Sequence, residues 1–109
     1  MKPQITEEMI EAFVQEKVRN TLMPWERGKP HNYDGNTFRA QETFLRAVIH
    51  LNRMGSIPAP GRMVQQLTKY ATNTHWQIAI VLRRKGAIES IRMGTYSKPF
   101  RAYKATLFS

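Results

Sequence analysis

The first regular spacing of apolar residues predicts an amphipathic helix over about residues 7–22. Its apolar residues share one helical face, and they are Ile10, Phe13, Val14, Val18 and Leu22. Thr6 is a suitable N-cap, because its hydroxyl accepts a hydrogen bond from an unpaired N–H of the first turn. We expect the helix to bury this apolar stripe against the rest of the chain or against a partner.

Three further helices are predicted in the middle of the chain, over about residues 38–53, 62–70 and 75–84. Before the second of these, Pro58 and Pro60 allow only a short extended piece or an edge strand. The last two helices are separated by three or four residues. Two short helices joined so tightly form a helix-turn-helix.

The C-terminal part of the chain has the composition of β-structure. Residues 87–93 and 100–108 are rich in Ile, Tyr, Phe and Thr. In the second run polar and apolar residues alternate, as in a strand with one buried face. Residues 94–99 between the runs carry the Gly and Pro of a hairpin tip. The pattern therefore predicts a mainly α-helical protein with a small antiparallel β-hairpin.

The charge distribution divides the chain into an acidic arm and a basic body. Residues 1–36 hold five Lys and Arg against six Asp and Glu, whereas residues 37–109 hold twelve against two. The Pro- and Gly-rich segment 23–36 is the predicted boundary between them. A basic body attracts a polyanion, and nucleic acid is the usual one.

Several classes of chemistry lack the residues they need. The chain has no Cys, which excludes disulfides and thiolate metal sites. The three histidines, His31, His50 and His75, lack the spacing of a zinc-binding helix, and the body's two carboxylates are scattered. We therefore expect no metal, no cofactor and no enzymatic activity. Without a signal peptide or a membrane-length apolar run, we expect a cytoplasmic protein that joins the nucleoid when bound to DNA.

Residues 37–109 resemble the winged-helix superfamily in the order of their elements. The features that carry the resemblance are the helix-turn-helix at 62–84, the Pro-bounded piece before it, the basic hairpin tip, and the segment Leu82-Arg83-Arg84-Lys85-Gly86-Ala87-Ile88-Glu89. This segment is similar to the Leu-x-x-x-Gly-x-Ile ending of many winged-helix recognition helices. Size and charge resemble those of small phage- or plasmid-type regulators. The resemblance implies a winged helix-turn-helix with an extra N-terminal helix.

The resemblance also implies a sequence-specific double-stranded DNA-binding protein, and we expect a transcriptional regulator. Its recognition helix would enter the major groove, and its hairpin, the wing, would contact the backbone or the minor groove. The expected DNA contacts are Arg62, Lys69, Asn73, Thr74, Gln77, Arg83, Arg84, Lys85, Arg92, Tyr96, Ser97, Lys98 and Arg101. Asn and Gln read adenine and Arg reads guanine, whereas Arg83 and Lys85 suit phosphates. Asn73 is equally suited to be a helix cap, and the helix dipole alone explains cations at residues 83–85.

Two apolar residues complicate this interpretation of the recognition helix. Trp76 and Ile80 do not share the face of its core residues, so they either pack beneath the N-terminal helix or form a dimer patch. We expect a homodimer, with the stripe of the N-terminal helix as its contact. The alternatives are an adaptor that binds a protein partner, in part through the N-terminal helix, and an accessory factor in replication or recombination. RNA remains open as the nucleic acid.

Overall fold

The structure, a computed structural model, describes residues 4–29 and 37–108. In these ranges the chain forms four α-helices and a three-stranded antiparallel sheet. The helices are α1 (Glu7–Val18), α2 (Phe38–Arg53), α3 (Gly61–Thr68) and α4 (Thr72–Arg84). The strands are β1 (Ala59–Pro60), β2 (Ile88–Gly94) and β3 (Pro99–Ala105), and single 3-10 turns cover Pro24–Glu26 and Thr106–Phe108. No helix in these ranges has both the length and the apolar character needed to cross a bilayer.

Helix α1 begins at the predicted cap and is part of the main core. The Met9 N–H donates to Thr6 Oγ1 at 3.1 Å, and the helix ends at Val18, one turn earlier than predicted. Val14 and Val18 are fully buried by the chain itself. The prediction of a dimer contact through this stripe is therefore wrong.

The predicted boundary between arm and body falls partly on residues 30–36, which lie outside the described ranges, as does His31.

Helix α2 is the centre of the core. Its bounds are as predicted, and the Ala40 N–H donates to the capping Thr37 Oγ1 at 3.1 Å. Because its apolar residues recur at helical spacing, one face packs on the other helices and on β3. The fully buried residues of that face are Phe44, Leu45, Val48 and Ile49.

Strand β3 lies between β1 and β2, so the sheet has one strand more than the predicted hairpin. Ala59 in β1 pairs with Tyr103, which makes the Pro-bounded piece an edge strand. The side chain of Asn52 fastens α2 to this sheet, because it accepts from the Ala105 N–H at 2.9 Å and donates to the Tyr103 carbonyl at 3.3 Å. The prediction that the second strand continues to residue 108 is wrong, because residues 106–108 form a 3-10 turn.

The predicted helix pair is present as α3 and α4, joined by residues 69–71. Lys69 ends α3 in the left-handed conformation, with φ of 61°. The Gln65 amide spans the turn by donating to the Tyr70 carbonyl at 3.1 Å and to Thr72 Oγ1 at 3.2 Å. Helix α4 begins at Thr72, so the interpretation of Asn73 as its cap is wrong.

Helix α4 ends at the predicted position, where the chain turns into β2. Gly86 has φ of 76°, a value that only glycine adopts without strain. The Ala87 N–H then donates to the Leu82 carbonyl at 2.9 Å and the Gly86 N–H to the Arg83 carbonyl at 3.1 Å. These two bonds are a Schellman motif, which satisfies carbonyls that a helix end otherwise leaves unpaired.

A buried ammonium group joins the end of α4 to three other segments. Lys85 Nζ lies 2.9 Å from Glu26 Oε1, 2.8 Å from the Val18 carbonyl and 2.5 Å from Gln41 Oε1. Glu26 in turn accepts from the Gln41 amide at 2.7 Å and from the Met23 N–H at 2.8 Å. Both charged side chains are completely buried, and burial lowers the pKa of Lys85 although Glu26 opposes the shift. The network connects α1, the turn at residues 24–26, α2 and α4.

We predict that Glu26→Gln lowers the free energy of unfolding by about 3 to 5 kcal/mol, because it leaves a buried ammonium without its counter-ion. Urea denaturation followed by circular dichroism measures this loss. Glu7→Gln is the matched control, since its ion pair with Arg53 is exposed and such pairs contribute little. The double variant Glu26→Gln/Lys85→Met should recover much of the stability; equal losses in Glu7→Gln and Glu26→Gln would contradict this account.

Candidate nucleic-acid interface

Helix α4 has one buried face and one exposed face. The buried residues are His75, Ile78, Ala79, Val81 and Leu82. The exposed residues are Thr72, Asn73, Trp76, Gln77, Ile80, Arg83 and Arg84. Trp76 and Ile80 are 44% and 45% exposed, so the alternative in which they pack beneath the N-terminal helix is wrong, and the alternative of a dimer patch stays a prediction. Helix α4 therefore has a continuous exposed surface.

The β2–β3 hairpin extends away from the core. Residues 91–101 are all exposed, and Tyr96 at the tip is 98% exposed. The Lys98 N–H donates to the Thr95 carbonyl and to Thr95 Oγ1, both at 3.2 Å, which closes the turn. Gly94 has φ of 89°, and a Cβ there would collide with the Lys98 carbonyl oxygen. The tip is thus held in one turn and carries the three predicted contacts Tyr96, Ser97 and Lys98.

Helix α4 and the hairpin face each other across a cleft, here called the α4–hairpin cleft. It consists of two adjoining cavities of about 530 and 240 Å³, which share Trp76, Arg101 and Tyr103. Residues from both sides of the cleft line each cavity. The arginines of its walls are Arg62 at the start of α3, Arg83 in α4, Arg92 in β2 and Arg101 in β3.

These four arginines have no carboxylate partner among the described residues. Arg92 and Arg101 pair directly across the hairpin, an arrangement in which like charges repel. The alternation of side chains along β3 puts Arg101 on the same face as Tyr103. The cleft therefore concentrates positive charge that no carboxylate in residues 4–29 or 37–108 pairs with.

The acidic residues of α1 neutralise a different part of the surface. Glu7 pairs with Arg53 at 2.6 Å and Glu11 with Arg46 at 2.7 Å, and both arginines belong to α2. The Arg46 guanidinium lowers the pKa of Glu11, so that this carboxylate stays ionised. The acidic arm therefore pairs with α2 and leaves the α4–hairpin cleft positive.

The structure brings most of the predicted contacts to this side of the molecule. Asn73, Gln77 and Arg84 lie on the exposed face of α4, and Lys69 is exposed in the turn before it. Thr74 is half-buried at the edge of that face. Lys85 is the exception: the prediction that it binds phosphate is wrong, because its ammonium is buried against Glu26.

Sequence reasoning missed several residues that shape the cleft. Gln65, Thr72, Ser90 and Phe100 line it but belong to no motif. Gly61 permits the close approach of α3 to β3, because a Cβ there would lie 3.2 Å from the Arg101 carbonyl oxygen and from the Tyr103 ring. Hairpin register was the available signal for Ser90, since a tip centred on Tyr96 and Ser97 places Ser90 opposite Tyr103.

The floor of the cleft is a buried aromatic group. His75 Nε2 lies 3.4 Å from the Tyr103 hydroxyl, and the His75 ring centroid is 5.0 Å from that of Phe44. Burial lowers the pKa of His75 and raises that of Tyr103. Both groups are therefore neutral at pH 7, and the charge of the cleft comes from its arginines.

Comparison with known proteins found no match for this chain. No protein-family model matches the chain, and no curated protein or solved structure shows significant similarity to it. Among the described residues, no three His, Asp or Glu side chains are grouped so that they hold a metal ion.

We predict that stability falls as the pH drops below about 6.5, the ordinary pKa of histidine. The pKa of His75 in the folded protein lies below this value. Between the two pKa values the unfolded chain therefore binds a proton that the folded protein does not, and the free energy of unfolding decreases. The decrease is complete once the pH is below the folded-state pKa. Urea midpoints between pH 7.5 and 5.5 measure the effect. His75→Gln should reduce the pH dependence, whereas His50→Gln, at an exposed position, should retain it. An undiminished dependence in His75→Gln would show that another group is responsible.

Proposed function

We propose that the protein is a sequence-specific double-stranded DNA-binding protein of the winged-helix type that regulates transcription. In this proposal α4 is the recognition helix and the β2–β3 hairpin is the wing. The observation that carries the proposal is the α4–hairpin cleft. An exposed helix face and an exposed hairpin flank four arginines there, and none of the four has a carboxylate partner in the part of the chain that the structure describes. Such a protein acts where the DNA is, in the cytoplasm.

The charge of the cleft favours a phosphate backbone as its ligand. Guanidinium groups bind phosphate through two parallel hydrogen bonds, which makes Arg the preferred residue for this contact. The repulsion between Arg92 and Arg101 is relieved when an anion lies between them. A DNA strand supplies such anions in a regular row, and its counter-ions are released on binding. We therefore assign one strand's backbone to the cleft.

The shape of α4 and the hairpin fits the two grooves beside that strand. An α-helix with its side chains is about 10 to 12 Å across, which matches a major groove about 12 Å wide. The hairpin tip carries Lys98 and extends beyond the cleft, towards the adjacent minor groove or backbone. Cationic side chains there meet a strong negative potential.

Base recognition in this arrangement belongs to the exposed face of α4. Asn73 and Gln77 lie one turn apart, and both side-chain amides are able to pair with adenine in the major groove. Arg84 is the candidate for guanine. Because one small module seldom binds tightly enough alone, we also propose that two copies bind two half-sites. Their contact does not use the buried stripe of α1.

We predict that affinity for duplex DNA falls with salt, with a log–log slope near −5 if about six phosphates are contacted. Arg92→Gln/Arg101→Gln should weaken binding to all sequences and reduce the slope by about 2. Fluorescence anisotropy at several salt concentrations measures both. Arg46→Gln/Arg53→Gln removes the same net charge from arginines already paired on α2 and should leave the slope unchanged. Equal effects of the two double variants would indicate a response to net charge alone.

We predict that Gln77→Ala changes the preference among sequences, with a loss of about 1 to 3 kcal/mol at one base position. Lys98→Ala/Arg101→Ala should instead weaken all sequences alike, because phosphate contacts do not discriminate bases. Selection from a random duplex library, repeated with each variant, measures the preference. A wing variant with unchanged affinity would contradict the assignment of the hairpin.

A further inference from the structure

An isoleucine lies at the centre of the exposed face of α4. A helix advances about 100° per residue, so the seven exposed residues of α4 span an arc of about 140°. Ile80 lies within about 10° of the middle of this arc and is 45% exposed. The residues on one side of it are Asn73, Gln77 and Arg84, and those on the other side are Thr72, Trp76 and Arg83. If α4 enters a major groove, Ile80 is the residue that reaches its floor.

An apolar side chain in that position needs an apolar partner. The edges of the bases present hydrogen-bond donors and acceptors throughout the major groove, and the C5-methyl of thymine is the apolar group among them. If Ile80 contacted the hydrogen-bonding groups of a base edge, it would displace their water and supply no hydrogen bond in return, which is unfavourable. Against a thymine methyl, the same contact buries apolar surface on both sides and is favourable.

We infer that Ile80 reads thymine through its C5-methyl group, so that the preferred site has A·T pairs under the centre of α4. The inference rests on the proposed function, because it specifies which base pairs the same helix face recognises. It makes Ile80 a specificity-determining residue in a helix whose polar residues stand on either side of it.

The neighbours of Ile80 are consistent with an A·T pair. Gln77 precedes it by three residues on the same face, and a Gln amide pairs with the N6 and N7 of adenine. Thymine's partner is therefore matched by the adjacent side chain. On the other side, the Trp76 ring stands edge-on to the ring of His75, with centroids 5.7 Å apart and an interplanar angle of 86°. Trp76 and Ile80 line the smaller cavity of the cleft together with Arg83 and Arg101, so an apolar surface adjoins the cations of the cleft.

The experiment compares thymine with deoxyuridine, which differs only by the missing C5-methyl. The probe is the duplex recovered by selection from a random library, and each of its thymines is replaced in turn. Wild-type protein should lose about four-fold in affinity at one or two positions, the effect of one buried methyl group. Ile80→Ala should bind the thymine and deoxyuridine duplexes equally. Circular dichroism checks its fold, which should persist because the site is exposed and alanine favours helix.

Ile57→Ala is the matched control, since it makes the same change at a position of 50% exposure outside α4. It should keep the wild-type response to deoxyuridine. If the protein binds DNA in a salt-dependent way but no deoxyuridine substitution weakens the binding, the inference is overturned and the proposed function stands. If no duplex is bound in a salt-dependent way, both the inference and the proposed function are overturned. An unchanged DNA affinity in Ile80→Ala would also overturn the inference.

Discussion

The buried ion pair between Lys85 and Glu26 is the interaction on which the arrangement of the helices depends. Lys85 follows the last residue of α4, and its ammonium is held by groups from α1, α2 and the turn at residues 24–26. A buried charge must be compensated by partners in fixed positions. The same contacts therefore hold the C-terminal end of α4 against α1, α2 and the turn at residues 24–26.

The second constraint is the separation of charges between two sides of the protein. Glu7 and Glu11 of α1 pair with Arg53 and Arg46 of α2. Among the described residues, the arginines of the cleft have no carboxylate partner, and two of them are held opposite each other in the hairpin. Under the proposed function, stability and DNA binding therefore depend on different cations, and removing the two sets is expected to have different consequences.

Much of the fold could be predicted because its signals are local. Apolar spacing indicated all four helices, Thr6 marked the start of α1, and Gly86 in the Leu-x-x-x-Gly-x-Ile segment marked the end of α4. The errors concern tertiary contacts. Lys85 has the same sequence context as Arg83 and Arg84, and only the position of Glu26, which is distant in sequence, explains its burial. The cleft could likewise not be predicted from the sequence, because Arg62 lies near Arg92 and Arg101 only through the packing of α3 against β3.

The one-sided distribution of paired and unpaired charge gives the molecule an electric polarity. In the electric field of a polyanion, such a molecule would rotate before contact, so that the cleft faces the polyanion and the side formed by α1 and α2 faces away. Long-range fields of this kind raise association rates and are damped when ions screen them. Under the proposed function, the ion pairs of α1 would therefore contribute to the encounter with DNA, since they leave the cleft as the more positive side of the protein.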